Sequence, residues 1–270
     1  VVVISDLHCG CQLGLCPPGG IRLDEGGAYH PNKVQRRLWD IWLNKFWKDF
    51  VPTATKGEPY AVVCNGDAID GTHHSATHQI SHNLEDQSEI AYRCLAPIVD
   101  KCKGRFYMIR GTEAHTGASG VEEERLAKRL GTVPNEAGQY ASYDLWKSCG
   151  NGLVHFLHHV GTTSSSAYEA SAINAELAAE LIESARWDSR PPDMVIRSHR
   201  HRYLAVQLVG ARGLIWSVCT PGWQGKTPFA WRVAGSRLAT PQWGGIVIRH
   251  GDRRMFVDPA VWTIDRSRTV

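Results

Sequence analysis

Long apolar runs are missing from this 270-residue sequence; the longest, such as Val1–Ile4, last only a few residues. A bilayer-crossing helix needs about 20 consecutive apolar residues, so none is expected. No basic stretch followed by an apolar one reads as a secretory leader. A dominant charge is missing too: 30 Lys and Arg against 27 Asp and Glu leave +3 with His neutral. That balance permits a phosphate-bearing partner without requiring one. Internal repeats, low-complexity tracts and linkers are also absent, which favours one domain over residues 1–270. Charged residues make up 21% and hydrophobic ones 43%, which excludes a disordered or coiled-coil chain and suffices for a large core. Eight cysteines are present, but a domain this large does not need a disulfide framework. Cys9, Cys11 and Cys16 follow C-x-C-x4-C without a matching second pair, so the spacing does not spell a structural zinc site. Reduced thiols and a cytoplasmic location are the expectation.

Histidine is what the sequence has in number. Thirteen occur, gathered at 73/74/78/82, 155/158/159 and 199/201. Hydrophobic periodicity places them. Val1–Ile4, Ala61–Cys64 and Arg105–Ile109 read as buried strands. Helices are expected over Asn32–Phe50, residues 84–102 with a kink at Pro97, and Val121–Leu130 closed by Gly131. The later half reads mostly as strands: Tyr140–Trp146, Leu153–Val160, Met194–Ile196, 203–209, 214–219, and a final hairpin around Gly251-Asp252. One helix, Ala167–Arg186, interrupts them, with Ser164–Ser166 as candidate caps. Residues 10–30 and 221–243 read as long loops. Trp39, Trp42 and Trp47, at helical spacing, belong to a core. Trp223, Trp231 and Trp243 pack in the late loop or stack on a base. The fold class is α/β: a two-sheet β-sandwich flanked by helices.

Polar clusters follow the strands, where ligand sites gather in such sheets. They are Ser5-Asp6-Leu7-His8, Gly66-Asp67, Gly111-Thr112-Glu113-Ala114-His115, His158-His159 and Ser198-His199-Arg200-His201. Asp and neutral His suit zinc, manganese, iron or nickel. In an extended segment residues i and i+2 share a face, so Asp6 and His8 can grip one ion together, and so can His199 and His201, or each of that pair can take a different ion. Asp67 has two oxygens and can bridge two ions. A pair of ions stabilises attacking and leaving oxygens at phosphorus and makes hydroxide available near neutral pH. His73 and His74, just past Asp67, and Arg200, flanked by Arg197 and Arg202, are candidates for substrate contact.

The ordered set resembles the calcineurin-like metallophosphoesterase family, whose pattern is D-x-H, G-D, G-N-H-E/D, a lone H, then G-H-x-H. Four of the five blocks fit in order across residues 5–201, and short G-T-x-x-H variants look similar to phage-type members. The resemblance implies a dinuclear metal site at the strand C-terminal edge. Asp6, His8 and His201 would hold the first ion, Asp67 would bridge, His199 would hold the second, and His158 (or its neighbour His159) would be the ligand of the fourth block. The third block departs from the pattern. Thr112 stands in place of the Asn ligand and the His is displaced to His115. Thr112, Glu113 or His115 could complete the second site, and His115 could act as the acid. The implied activity is metal-dependent hydrolysis of phosphate esters by metal-activated hydroxide. Phosphodiesters, nucleic acid among them, are favoured; a phosphomonoesterase and a non-catalytic metal-binding scaffold with a partner are the alternatives.

Overall fold

The computed structural model describes residues 1–73, 75–161, 166–210, 213–228, 230–231, 240–251 and 254–263. His74, Ser164, Ser165 and Asp252, named above, lie outside them.

The fold is mixed α/β. One sheet has six strands: β1 (Val2–Ile4), β4 (Val62–Asn65), β5 (Phe106–Ile109), β6 (Ala141–Ser142), β12 (Gln242–His250) and β13 (Met255–Thr263), in the order β13-β12-β1-β4-β5-β6. Strands β1, β4, β5 and β6 run parallel, and β12 and β13 complete the other side antiparallel. The second has five strands: β7 (Asp144–Cys149), β8 (Gly152–Leu157), β9 (Met194–Arg197), β10 (Leu204–Gly210) and β11 (Gly213–Cys219), in the order β10-β11-β9-β8-β7. A small ribbon, β2 (Ile21–Arg22) with β3 (Ala28–Tyr29), lies inside the segment expected to be only loop.

Burial follows from the apolar pattern. Val3, Val63, Ile109, Ile246 and Ile248 from the first sheet share one buried cluster with Val154, Phe156, Met194, Ile196 and Val218 from the second. The larger cluster gathers Trp42, Phe46, Trp47, Ile90, Leu95 and Leu126 with Ile4 and Cys64. The first helical stretch is three consecutive segments: α1 (Lys33–Asp40), Ile41–Phe50 at the wider i→i+5 pitch, and α2 (Val51–Thr55). Asn32 and Gln35 form a reciprocal capping box at its start. Helix α3 (Leu84–Lys101) runs through Pro97 as one element. Helix α4 (Glu113–Thr116), which no periodicity announced, sits in the third polar block. Helix α5 (Val121–Leu130) closes on Gly131 at φ 67°. Helix α6 (Glu169–Arg186) starts after a single turn at Ser166–Tyr168. Trp223 and Trp243 are buried in the core, and only Trp231 of the late tryptophans is exposed.

Register decides where the polar blocks emerge. Ile4 pairs with Cys64, and Cys64 with Met108, so the blocks after β1, β4 and β5 leave the sheet side by side. In the second sheet Phe156, Ile196 and Val218 lie in one row, which brings out His158, His199 and Thr220 together. A buried polar network joins the two exits. Asn65 donates to the Leu157 carbonyl and to Ser198 Oγ, while Thr220 Oγ1 bonds both Ser5 Oγ and Ser198 Oγ.

Candidate metal centre

The loops after the strands turn sharply. Asp6, His8, Asp67, His199 and His201 all have positive φ, between 44° and 72°. The i/i+2 logic of an extended segment therefore does not apply; left-handed turns aim these side chains. Each such residue costs about 1–3 kcal/mol, which the rest of the fold must offset, and strain of this kind gathers at functional sites.

The side chains converge into two adjoining groups. In the first, His201 Nε2 lies 3.3 Å from Asp6 Oδ1 and 3.2 Å from His8 Nε2. In the second, Asp67 Oδ2 lies 3.0 Å from His158 Nε2 and 4.0 Å from His199 Nδ1. Thr112 Oγ1 sits among them, 3.3 Å from Asp67 Oδ2, 3.4 Å from His158 Nε2 and 3.1 Å from His199 Nδ1. Asp67 Oδ2 also stands 4.0 Å from His8 Nε2, so one oxygen faces both groups. Asp6, His8 and His201 form one set able to hold a cation, and Asp67, His158 and His199 another.

The donor set fits metal ions. Asp6 Oδ1 is buried without a hydrogen bond, although His201 and His158 surround it. Among the described residues, no Lys or Arg pairs with Asp6 or Asp67. Backbone acceptors fix which imidazole nitrogens are bare. His158 Nδ1–H donates to the Asn65 carbonyl at 2.7 Å, and His115 Nδ1–H to the Asp70 carbonyl at 2.6 Å. His8 Nδ1 meets Asp70 Oδ1 at 3.1 Å. These contacts occupy Nδ1 and turn each Nε2 toward the site, the atom a ligating histidine uses; at His158 that nitrogen carries a proton toward Asp67 that a bound ion would displace.

Charge is balanced internally. Burial alone would raise Asp6, but His201 and His158 hold it down at about 2. Burial is likewise outweighed at Asp67, where His158 and His115 keep the carboxyl well below its ordinary range. Burial opposes a charge on His158, yet Asp67 and Asp6 push it up to about 10. Burial lowers His115 to about 4, so its ring is neutral.

The structure places the remaining sequence candidates distinctly. His158 is fully buried in the second group, whereas His159 is exposed beside it. Glu113 is exposed on α4, and His115 lies against His8, ring centroids 4.5 Å apart. Of the three residues considered for the second group, Thr112 lies among its donors, His115 forms a further candidate set with His8 and Asp67, and Glu113 points to solvent. The His73 side chain packs inward against Asp70 and His115. Arg200 Nη2 donates to the Gly161 carbonyl. Arg197 is buried on Glu176 and Glu180, and Arg202 pairs with Glu169, so neither is a free phosphate ligand. Two residues went unnoticed in the sequence. Asp70, three after Asp67, orients His8. Glu123 is buried in α5 and accepts from the Ala68 and Gly111 amides at 2.8 and 2.6 Å, tying together the loops that carry Asp67 and Thr112. Burial, with Asp67 adding to it, raises Glu123 to about 7.

No protein-family model matches the chain, and no curated protein matches it. Among solved structures it is similar to Vps29 of Entamoeba histolytica complexed with zinc, at 10% identity and TM-score 0.40, over 96% of this chain and 97% of that one. A predicted phosphoesterase of Streptococcus pneumoniae gives 9% identity and TM-score 0.33, over 96% of both chains. The sulfate thiohydrolase SoxB of Thermus thermophilus gives 10% and 0.44, over 97% of this chain and 56% of that one. The functional reading therefore rests on the chain's own residues.

Proposed function

We propose that this chain is a single-domain metal-dependent phosphoesterase of the calcineurin-like kind, a two-sheet sandwich with a dinuclear centre, acting on phosphodiesters. The observation that carries the reading is Asp67 Oδ2, one buried carboxylate oxygen shared between two groups of His and Asp donors. Asp6, His8 and His201 would hold one divalent ion, His158, His199 and Thr112 the other, and Asp67 both. The donors suit manganese, zinc, iron or nickel. When bound, such ions supply hydroxide near neutral pH and positive charge for the phosphoryl oxygens.

The chain's own residues do the rest. Asp70 and the Asn65 carbonyl fix the ring orientations of His8 and His158, and Glu123 fixes the two ligand loops. His115 presents a neutral Nε2, so it enters as a hydrogen-bond acceptor; the negative charge of a bound phosphate would raise its pKa and let it carry a proton to the leaving oxygen. Arg200, between His199 and His201 in the chain, would meet the phosphate of the substrate, nucleic acid included.

Chelated protein reloaded with each metal, beside Asp67→Ala, tests this on bis-p-nitrophenyl phosphate and p-nitrophenyl phosphate. Metal-restored turnover of the diester, lost in Asp67→Ala, is expected. Faster monoester turnover would replace the diesterase reading with a phosphomonoesterase. Bound metal without turnover of either would favour a scaffold.

A further inference from the structure

Behind the Asp67-centred groups lies a second buried cluster. Backbone pairing assembles it from three separate stretches. Cys9 bridges to Ile69 and Cys11 to Gln79, and the Gln12 amide donates to the His78 carbonyl. Cys11, Asp70 and His78 are brought together with one donor atom from each within 4.8 Å of the others. All three are more than nine-tenths buried.

The two oxygens of Asp70 do different things. Oδ1 orients His8 and accepts from Gln224. Oδ2 accepts from Gln79 and faces His78 Nε2 at 3.8 Å, too long for a hydrogen bond. His78 Nε2 is buried with no hydrogen-bond partner. Holding His8 in place requires neither Cys11 nor His78. The orphaned His78 nitrogen, beside a buried carboxylate that no Lys or Arg pairs with among the described residues, carries a cost that a bound cation would remove, and the Cys11 thiol stands next to both as a third donor.

We propose that Cys11 Sγ, the Asp70 carboxylate and His78 Nε2 form a third divalent-cation site, distinct from the Asp67-centred pair and suited to a zinc-class ion. Sulfur, nitrogen and oxygen are the donors such an ion takes, and tetrahedral coordination sets ligand atoms about 3.3–3.7 Å apart. The His78–Asp70 separation is already 3.8 Å. Small side-chain rotations would close the set. His73 Nε2, 3.6 Å from Asp70 Oδ2, stands next to the fourth position. Through the same carboxylate, an ion here would stiffen the support of His8.

Cobalt(II) tests the site, because no thiol belongs to the Asp67-centred groups. Metal-free full-length protein titrated with cobalt is expected to develop a near-ultraviolet thiolate-to-cobalt charge-transfer band. Cys11→Ser should abolish that band and remove one bound ion per chain. His78→Ala should weaken cobalt binding at this band by at least about tenfold, since even loss of an outer contact costs 10- to 100-fold. Asp67→Ala should leave the band in place. No band in the wild-type protein, or a band that persists in Cys11→Ser, would overturn the inference. The wild-type result stands by itself if a variant fails to fold. Phosphoesterase turnover does not enter the readout, so this inference and the functional one fail separately.

Discussion

Gly111→Ala is the sharpest mechanical test of the centre. A Cβ at Gly111 would fall 2.1 Å from Asp67 Oδ1 and 2.3 Å from the Asp67 backbone nitrogen, where ordinary contact begins near 3.4 Å. Asp67 must therefore retreat by about 3.4 − 2.1 = 1.3 Å, while metal coordination tolerates displacements of only about 0.2 Å. Retreat is opposed, because the Thr112 amide holds the same Oδ1 at 2.7 Å and Glu123 holds the Gly111 amide. Backbone strain adds nothing, since Gly111 does not lie in the left-handed region. Overpacking of this kind costs roughly 1–3 kcal/mol. At roughly 2–4 °C per kcal/mol, Tm should fall by roughly 2–12 °C, leaving a folded protein. Misplacing a catalytic group by an ångström can cost about 100-fold, so diester turnover should fall at least that far. Metal content after dialysis, by mass spectrometry, should fall with it. Calorimetry, metal analysis and turnover on one preparation decide the matter. Wild-type metal content and turnover in Gly111→Ala would refute the placement of Asp67 at the centre.

Three further outcomes follow from the same geometry. His158 is raised from 6.5 to about 10 in the metal-free fold, so its stabilising contribution is complete below pH 6.5 and lost as pH rises through 10. Metal needs the neutral ring, so loading at about pH 8 should release about one proton from His158, read by titration calorimetry in buffers of different ionisation enthalpy; no release would contradict the assignment. Glu123→Ala orphans two buried amides, at about 1–3 kcal/mol each, and should lower metal-free stability by roughly 2–6 kcal/mol in urea. A change well under 1 kcal/mol would mean those amides find other partners. His158→Ala should empty the second group of metal while His159→Ala leaves metal content unchanged, and the reverse pattern would exchange their roles.

The legible parts of the site were residue types that stand out after apolar strands. Asp6, Asp67, His158, His199 and His201 could be named because each follows an apolar strand and the blocks come in a recognisable order. The parts that stayed hidden depend on distant packing. Glu123 sits in Glu122-Glu123-Glu124, which reads as a solvated helix face, and only its burial beneath Gly111 reveals the clamp. The pairing of Arg197 was not legible because its partners, Glu176 and Glu180, lie on a helix about twenty residues earlier. Cys11 was passed over because zinc spacing is sought among sequence neighbours, whereas its partners Asp70 and His78 arrive by β-bridging. The left-handed turns at Asp6 and His8 were not legible either. Asp and His enter that region more readily than most residues, but nothing local demands it; the hydrogen bonds from the Asp6 and His8 amides to the Gly66 and Asp67 carbonyls hold the turns.

Five polar blocks building one two-ion centre on Asp67 are best checked by anomalous diffraction from manganese-loaded crystals, collected near the metal edge. Two peaks are expected, one among Asp6, His8 and His201 and one among Thr112, His158 and His199, with Asp67 touching both. Crystals of the loaded protein with no peak beside Asp67, or with peaks ligated by other residues, would contradict that centre.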